Sequence, residues 1–295
     1  MRRIVIGAFA FVAMAGIGCA SAESQERSSL RFAVVEPHGR CMSGGEPHTI
    51  ATDVRERDLE AAASDEGFAV RFTQKKNAKT HVVGAGAALA ATASATIDEE
   101  WVNVDGRRLW RSLQPVQWIG AVRDGERLAV AMVSNGKLLA GIAGRGILYG
   151  PMQVLGTVSV DDSPPDLVIN AGHVAITWEG PDGAYVAGFT TEGWSVHTIP
   201  TPPEAHVMDP RIAPVAGGRF IVLWREGTLE RHGLRAQLYN ASARPVGGSF
   251  DPAPGLEVVR ADVAAKPDGE VLIASLVATN TGLDLVTSPV LCNAE

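Results

Sequence analysis

Three carboxylates stand near the starts of short apolar segments: Glu60, Asp209 and Asp262. Two such groups facing one channel can act as general acid and general base in glycoside hydrolysis when held roughly 5–10 Å apart. Spacing alone does not bring any two of them together, and acids at turn edges are common. The catalytic residues therefore stay unassigned. Other catalytic patterns are missing: the chain has no Gly-x-Ser-x-Gly nucleophile turn and no His-Glu-x-x-His. The stretch His206-Val207-Met208-Asp209 reads as a loop.

His38, Cys41 and His48 are metal-ligand types at short spacing. Zinc takes four ligands, or three and a water. No fourth ligand is evident, and no metal is assigned. Asp161-Asp162-Ser163-Pro164-Pro165-Asp166 offers oxygen ligands but lacks the glycine and spacing of an EF-hand loop, so it reads as a solvated turn. His81-Val82-Val83-Gly84-Ala85-Gly86-Ala87-Ala88-Leu89, followed by Asp98, Glu99 and Glu100, resembles a dinucleotide-binding turn. That turn needs a third glycine where Leu89 stands, and alternating strands and helices around it. A pair of small-residue strands is the better reading, and no cofactor is expected. Lys75-Lys76-Asn77-Ala78-Lys79, the only tight basic cluster, reads as a solvated turn.

The N-terminus reads as an export signal. Arg2 and Arg3 precede the apolar run Ile4 to Ile17, and Ala20-Ser21-Ala22 supplies small residues for cleavage. The run is shorter than the roughly 20 residues of a membrane-spanning helix. Residues 1–22 are thus expected to be a signal peptide. The alternative is a bacterial lipoprotein signal, with lipid on Cys19 after Gly16-Ile17-Gly18. A lipid there would be the only membrane attachment. The destination is the periplasm, the outer membrane or the exterior. Removing residues 1–22 takes the formal charge from −7 to −9. Nucleic acid, which wants a basic face, is not an expected partner. Cys41 and Cys292 remain, 251 positions apart. Two thiols in an oxidising compartment most simply pair.

The elements that would position the acids repeat along the chain. A short apolar segment, a glycine turn and an apolar strand recur in Leu59–Phe72, Val116–Met132, Asp166–Trp178, Ile212–Trp224 and Val263–Leu276. The turn glycines Gly67, Gly125, Gly172, Gly218 and Gly269 are spaced 58, 47, 46 and 51 residues apart. Such a period means blades or solenoid units. Runs such as Phe220-Ile221-Val222-Leu223-Trp224 are β-branched and aromatic, bounded by Gly and Pro, and apolar on both faces. They suit strands buried on both sides. Asp124-Gly125, Gly217-Gly218 and Asp268-Gly269 suit tight hairpins. The expectation is an all-β fold, a β-propeller of about five and at most six four-stranded blades. Residues 23–57 would hold a closing strand, Leu30 to Val35, and a linker; residues 58–295 would hold the repeats. Strands from both termini would close the ring beside Cys41 and Cys292. Asp53 to Ala63 and His81 to Thr96 are alanine-rich, which suits helix and makes the first blade irregular.

Ala216 to Phe250, with its glycine turn, strand ending in Trp224, Ala236-Gln237-Leu238-Tyr239 strand and Pro245-Val246-Gly247 turn, resembles repeats of exported bacterial β-propeller proteins. The resemblance implies a propeller in the cell envelope and no particular activity. Sialidase-type propellers carry Ser-x-Asp-x-Gly-x-Thr-Trp boxes, an order that Ser64-Asp65-Glu66-Gly67 breaks. Trp101, Trp110, Trp118 and Trp194 lie outside the repeated strand ends and are expected mostly in core packing, with some left to face a ligand. The sequence favours a non-catalytic binding or scaffolding module whose partner is an envelope or extracellular protein or a glycan. A carbohydrate-active or other hydrolytic propeller using channel carboxylates is the alternative.

Overall fold

The computed structural model describes residues 41–43, 46–55, 59–64, 67–74, 77–84, 93, 95–98, 100–144, 147–159, 163–228, 231–266 and 268–292. The expected signal peptide, Cys19, His38 and the Leu30–Val35 strand lie outside them. Among the described residues there are strands and no helix. In chain order β1 (Cys41–Ser43) and β2 (His48–Ala51) come first. Blade 1 holds β3 (Glu60–Ser64), β4 (Gly67–Gln74) and β5 (Asn77–Gly84). Blade 2 holds β6 (Ala95–Asp98), β7 (Trp101–Val104) and β8 (Arg107–Arg111). Blade 3 holds β9 (Val116–Asp124), β10 (Arg127–Ser134) and β11 (Lys137–Gly144), with β12 (Ile147–Leu148) and β13 (Gln153–Thr157) both paired to β11.

Blades 4 and 5 have four strands in sequential order. They are β14 (Asp166–Asn170), β15 (His173–Gly180), β16 (Gly183–Thr190) and β17 (Gly193–Thr198), then β18 (His206–Val215), β19 (Arg219–Gly227), β20 (His232–Tyr239) and β21 (Pro245–Phe250). Blade 6 holds β22 (Val258–Ala265), β23 (Glu270–Thr279) and β24 (Gly282–Cys292). Both β1 and β2 pair antiparallel with β24. The ring is therefore closed by strands from both termini. Cys41 faces Cys292 in register, and the two form a disulfide.

The sheets stack face to face, and alternation along one strand explains how. In β19, Ile221 and Leu223 enter the core shared with blade 6, while Phe220, Val222 and Trp224 enter the core shared with blade 4. All five are at most 1% exposed, which is why the strand is apolar at every position. Corresponding cores join blades 3 and 4, blades 6 and 1, and blades 2 and 3. Close approach also needs small residues: a Cβ on Gly188 of β16 would stand 2.3 Å from the Ala241 carbonyl of the next blade.

Five inner strands, β3, β9, β14, β18 and β22, surround a central cavity of about 380 Å³. They are the inner strands of the five repeated hairpins. The short blade 2, between the first and second repeats, accounts for the long 58-residue spacing from Gly67 to Gly125. The helical expectation for Asp53 to Ala63 is corrected: Glu60–Ser64 is β3, where Ala61 and Ala63 pack against blade 6. Small side chains suit the centre of the ring, where inner strands converge. His81–Gly84 belongs to β5, antiparallel to β4, and the Ala85–Leu89 part of that stretch lies outside the described residues.

Candidate functional site: a charged ring in the channel

Inner strands that share one geometry offer the same place repeatedly. Glu60, Asp166 and Arg211 each stand four residues before the last paired residue of their strand: Ser64, Asn170 and Val215. Asp262 stands four before Lys266, whose N–H donates to the Glu270 carbonyl at 2.7 Å. The order around the ring is Glu60 in blade 1, Asp262 in blade 6, Arg211 in blade 5 and Asp166 in blade 4. The equivalent place on β9 is Gly120, and the Trp118 ring fills the space a Cβ would need there, 2.7 Å away.

Two of these residues make the same bond between blades. Asp166 Oδ2 accepts the Ile212 N–H at 2.9 Å, and Asp262 Oδ2 accepts the Ala61 N–H at 2.7 Å. In each case the donor follows the equivalent place on the next inner strand, Arg211 or Glu60. Asp262 Oδ1 also accepts the Val263 N–H at 2.9 Å. Glu60 is paired with Arg71 of β4.

Arg211 turns toward blade 4. Its guanidinium lies 2.6 Å from Asp209 Oδ1, and Nη1 donates to the Pro164 carbonyl at 3.3 Å and the Pro210 carbonyl at 3.4 Å. Asp209 is buried and holds φ at 53° in a bulge of β18 between Met208 and Arg211. Asp and Asn tolerate that left-handed backbone better than most residues. Asp209 also accepts the Ser163 hydroxyl, its N–H donates to Glu179 Oε2 at 3.0 Å, and Arg225 Nε lies 3.8 Å from its Oδ2.

The surrounding strands leave the channel acids half-buried, and that loss of water disfavours their ionisation. Burial, followed by the charge of Asp166, pushes Asp262 up to about 7, against Arg211 and the two N–H donors. Burial also raises Asp166, again opposed first by Arg211. Burial works against the Arg211 charge, but Asp209, Asp166, Asp262 and Glu179 together hold it protonated above the ordinary range. Asp262 thus has its proton affinity raised toward neutrality, while Arg211, held by Asp209, keeps its charge.

Of the acids singled out by sequence, Glu60 and Asp262 line the cavity, while Asp209 lies behind it in contact with Arg211. The acidic stretch read as a solvated turn contributes Asp166 to the channel and Ser163 to the Asp209 network; Asp161 and Asp162 lie outside the described residues. His206 to Asp209, expected as a loop, begins β18. Arg211 was missed. Aligning the repeats on their glycines puts Ile212 opposite Asp166, because the Ala216-Gly217-Gly218 loop is one residue longer than Ala171-Gly172. Alignment on hairpin pairs finds it. Trp110, Trp118 and Trp194 pack against inter-blade cores, and Trp101 lies under the Arg108 guanidinium at 5.3 Å. None of the four lines the channel. Cys41 is committed to the disulfide and His48 is exposed on β2.

The fold defines a β-propeller whose largely apolar channel carries the carboxyls Glu60, Asp166 and Asp262. No protein family and no curated protein matches the chain. Solved structures resemble it at low identity. A mutant of AofleA from Arthrobotrys oligospora is 14% identical over 89% of this chain and 90% of that one, with a TM-score of 0.41. A neuraminidase-like protein of A/little yellow-shouldered bat/Guatemala/060/2010 is 8% identical over 85% and 99%, with a TM-score of 0.45. The catalytic domain of a Coprinopsis cinerea α-L-arabinofuranosidase is 8% identical over 88% and 98%, with a TM-score of 0.40.

Proposed function

We propose that this is an exported hydrolytic propeller that uses its channel carboxyls for acid–base catalysis, with a glycoside as the substrate class. One observation carries the reading: two carboxyls face the same cavity, and the negative charge of Asp166 adds to burial in raising Asp262. A pair of acids coupled in this way supplies a proton donor and an ionised partner at one pH. Asp262, with its pKa near 7, is the general acid. Asp166, whose negative charge helps to raise Asp262, is the ionised partner. The cavity falls at the small end of ligand sites, which suits one or two sugar units. The Cys41–Cys292 disulfide supports an oxidising compartment and hence export.

A second reading rests on the inter-blade bonds. Asp166 and Asp262 each accept an N–H of the neighbouring inner strand, which makes them clasps of the ring. On that reading the protein is a binding or scaffolding module of the envelope, facing a protein or glycan. A panel of p-nitrophenyl α- and β-glycosides separates the two. The hydrolytic reading expects turnover of at least one member, a loss of rate as pH rises through about 7, and a drop of roughly 100-fold or more in kcat for Asp262→Asn, in keeping with loss of a general acid. No turnover above the uncatalysed rate across the panel would overturn it in favour of the module.

A further inference from the structure

At the hairpin end of the ring, neighbouring blades hold each other. Asp124 of blade 3 accepts the Gly172 N–H of blade 4 at 3.1 Å, and Arg127 donates to the Gly172 carbonyl. Asn170 of blade 4 donates to the Val215 and Arg219 carbonyls of blade 5 at 2.5 and 3.1 Å. Between blades 2 and 3 Arg123 pairs with Asp105 at 2.7 Å, but blade 2 is shorter. Its β7 and β8 have 4 and 5 residues, against 9 and 8 in β9 and β10. Its hairpin at Asp105-Gly106 leaves an opening of about 360 Å³ beside the Gly125-Glu126 hairpin. The floor is apolar, formed by Val104, Leu109 and Leu128 at the edge of the core between blades 2 and 3. The rim carries Asp105, Arg107, Arg123 and Glu126.

The rim charges are not equally engaged. Asp105 is paired with Arg123 at 2.7 Å, and Glu126 has an interaction of its own. The exposed Arg107 guanidinium makes no ion pair or hydrogen bond among the described residues. The opening therefore presents a free planar fork of donors above an apolar floor. A guanidinium of this kind matches a carboxylate through two parallel hydrogen bonds. The apolar floor calls for a hydrocarbon body on the same molecule.

We infer that the opening between blades 2 and 3 is a second binding site, for a small monocarboxylate with a short apolar tail. Arg107 receives the carboxylate, and Val104, Leu109 and Leu128 receive the tail. The site is separate from the channel acids and does not depend on their catalytic reading. Hexanoate, hexan-1-ol and hexylammonium share one tail and differ in charge, so ligand-observed NMR titrations of the whole protein with each form the test. Hexanoate is expected to bind at least tenfold tighter than the other two. Arg107→Ala, an exposed change that leaves the core intact, is expected to bring hexanoate to the level of hexan-1-ol, and Arg107→Lys to restore part of the difference. Asp262→Asn is expected to leave hexanoate affinity unchanged. Equal affinities for the three probes, an Arg107→Ala protein that titrates like the parent, or a loss on Asp262→Asn equal to that on Arg107→Ala would each overturn the assignment.

Discussion

Asp262 joins the last blade to the first through Ala61 and holds its proton near neutrality, so Asp262→Asn has a signed effect that changes with pH. In the unfolded chain the carboxyl titrates at the ordinary 3.8; in the fold, burial and then Asp166 push it to about 7. The fold thus binds this proton more tightly than the unfolded chain. The stability that the proton contributes is fully present below pH 3.8, is lost as pH rises to about 7, and changes no further above that. The whole interval corresponds to about 4 kcal/mol, and channel water brings the share felt in solution to about 2 kcal/mol. Asparagine has no proton to lose. Its single amide oxygen can accept the Ala61 or the Val263 N–H but not both, which costs about 1 kcal/mol. The variant should therefore be about 1 kcal/mol less stable than the parent below pH 3.8, close to the parent near pH 5, and about 1 kcal/mol more stable at pH 8. Urea unfolding followed by tryptophan fluorescence at several pH values reads both numbers. Asp166, raised by burial, adds a trend of the same sign. His232, lowered by burial and then by Arg225, favours its neutral form and adds the opposite trend. His232 remains in the variant and cancels, so the difference between the two proteins reports Asp262 together with its coupling to Asp166. Parallel stability profiles from pH 5 to 8 would refute the reasoning.

The Cys41–Cys292 bridge closes the described chain into a loop, its ends 251 positions apart. Replacing both cysteines by serine should cost on the order of 5 kcal/mol in urea unfolding; an unchanged midpoint would mean that the strand pairing of β1 and β2 closes the ring unaided. Asp209→Ala should cost about 3–5 kcal/mol, because it leaves Arg211 buried without its closest anion. Asp209→Asn keeps a side chain that tolerates φ near 53° and a hydrogen-bond acceptor, so its thermal midpoint should lie between those of the parent and the alanine variant. Equal midpoints for all three proteins would show that the ion pair contributes nothing.

The parts of this fold that were legible in the sequence are those whose packing demands an unusual pattern. A strand buried on both faces must be apolar at every position, and β19 and β23 declare this in Phe220–Trp224 and Val271–Leu276. Blade 2 escaped notice because its outer strand Arg107–Arg111 is charged and half-exposed, so it lacks the apolar phrase of the other hairpins. The Asp105-Gly106 turn between Trp101–Val104 and Arg107–Arg111 was nonetheless the available signal, since Asp-Gly favours a two-residue hairpin. Alanine in Asp53 to Ala63 misled for a related reason. Its helix propensity is a weak prior, and contact with blade 6 decides the outcome. The channel ring was half legible. Glu60 and Asp262 could be named from their places beside apolar segments, but Asp166 was read into a solvated turn, and Arg211 was hidden because a loop one residue longer shifts it out of line with Asp166 when glycines set the alignment. The hairpin pairs are the better ruler, because strand pairing fixes side-chain direction and a loop length does not. Measured that way, Asp262, Arg211 and Asp166 fall on successive blades as acid, base and acid. Arg211, anchored on Asp209, opposes burial at both Asp166 and Asp262, so an acid in its place would turn that support into repulsion and raise both further.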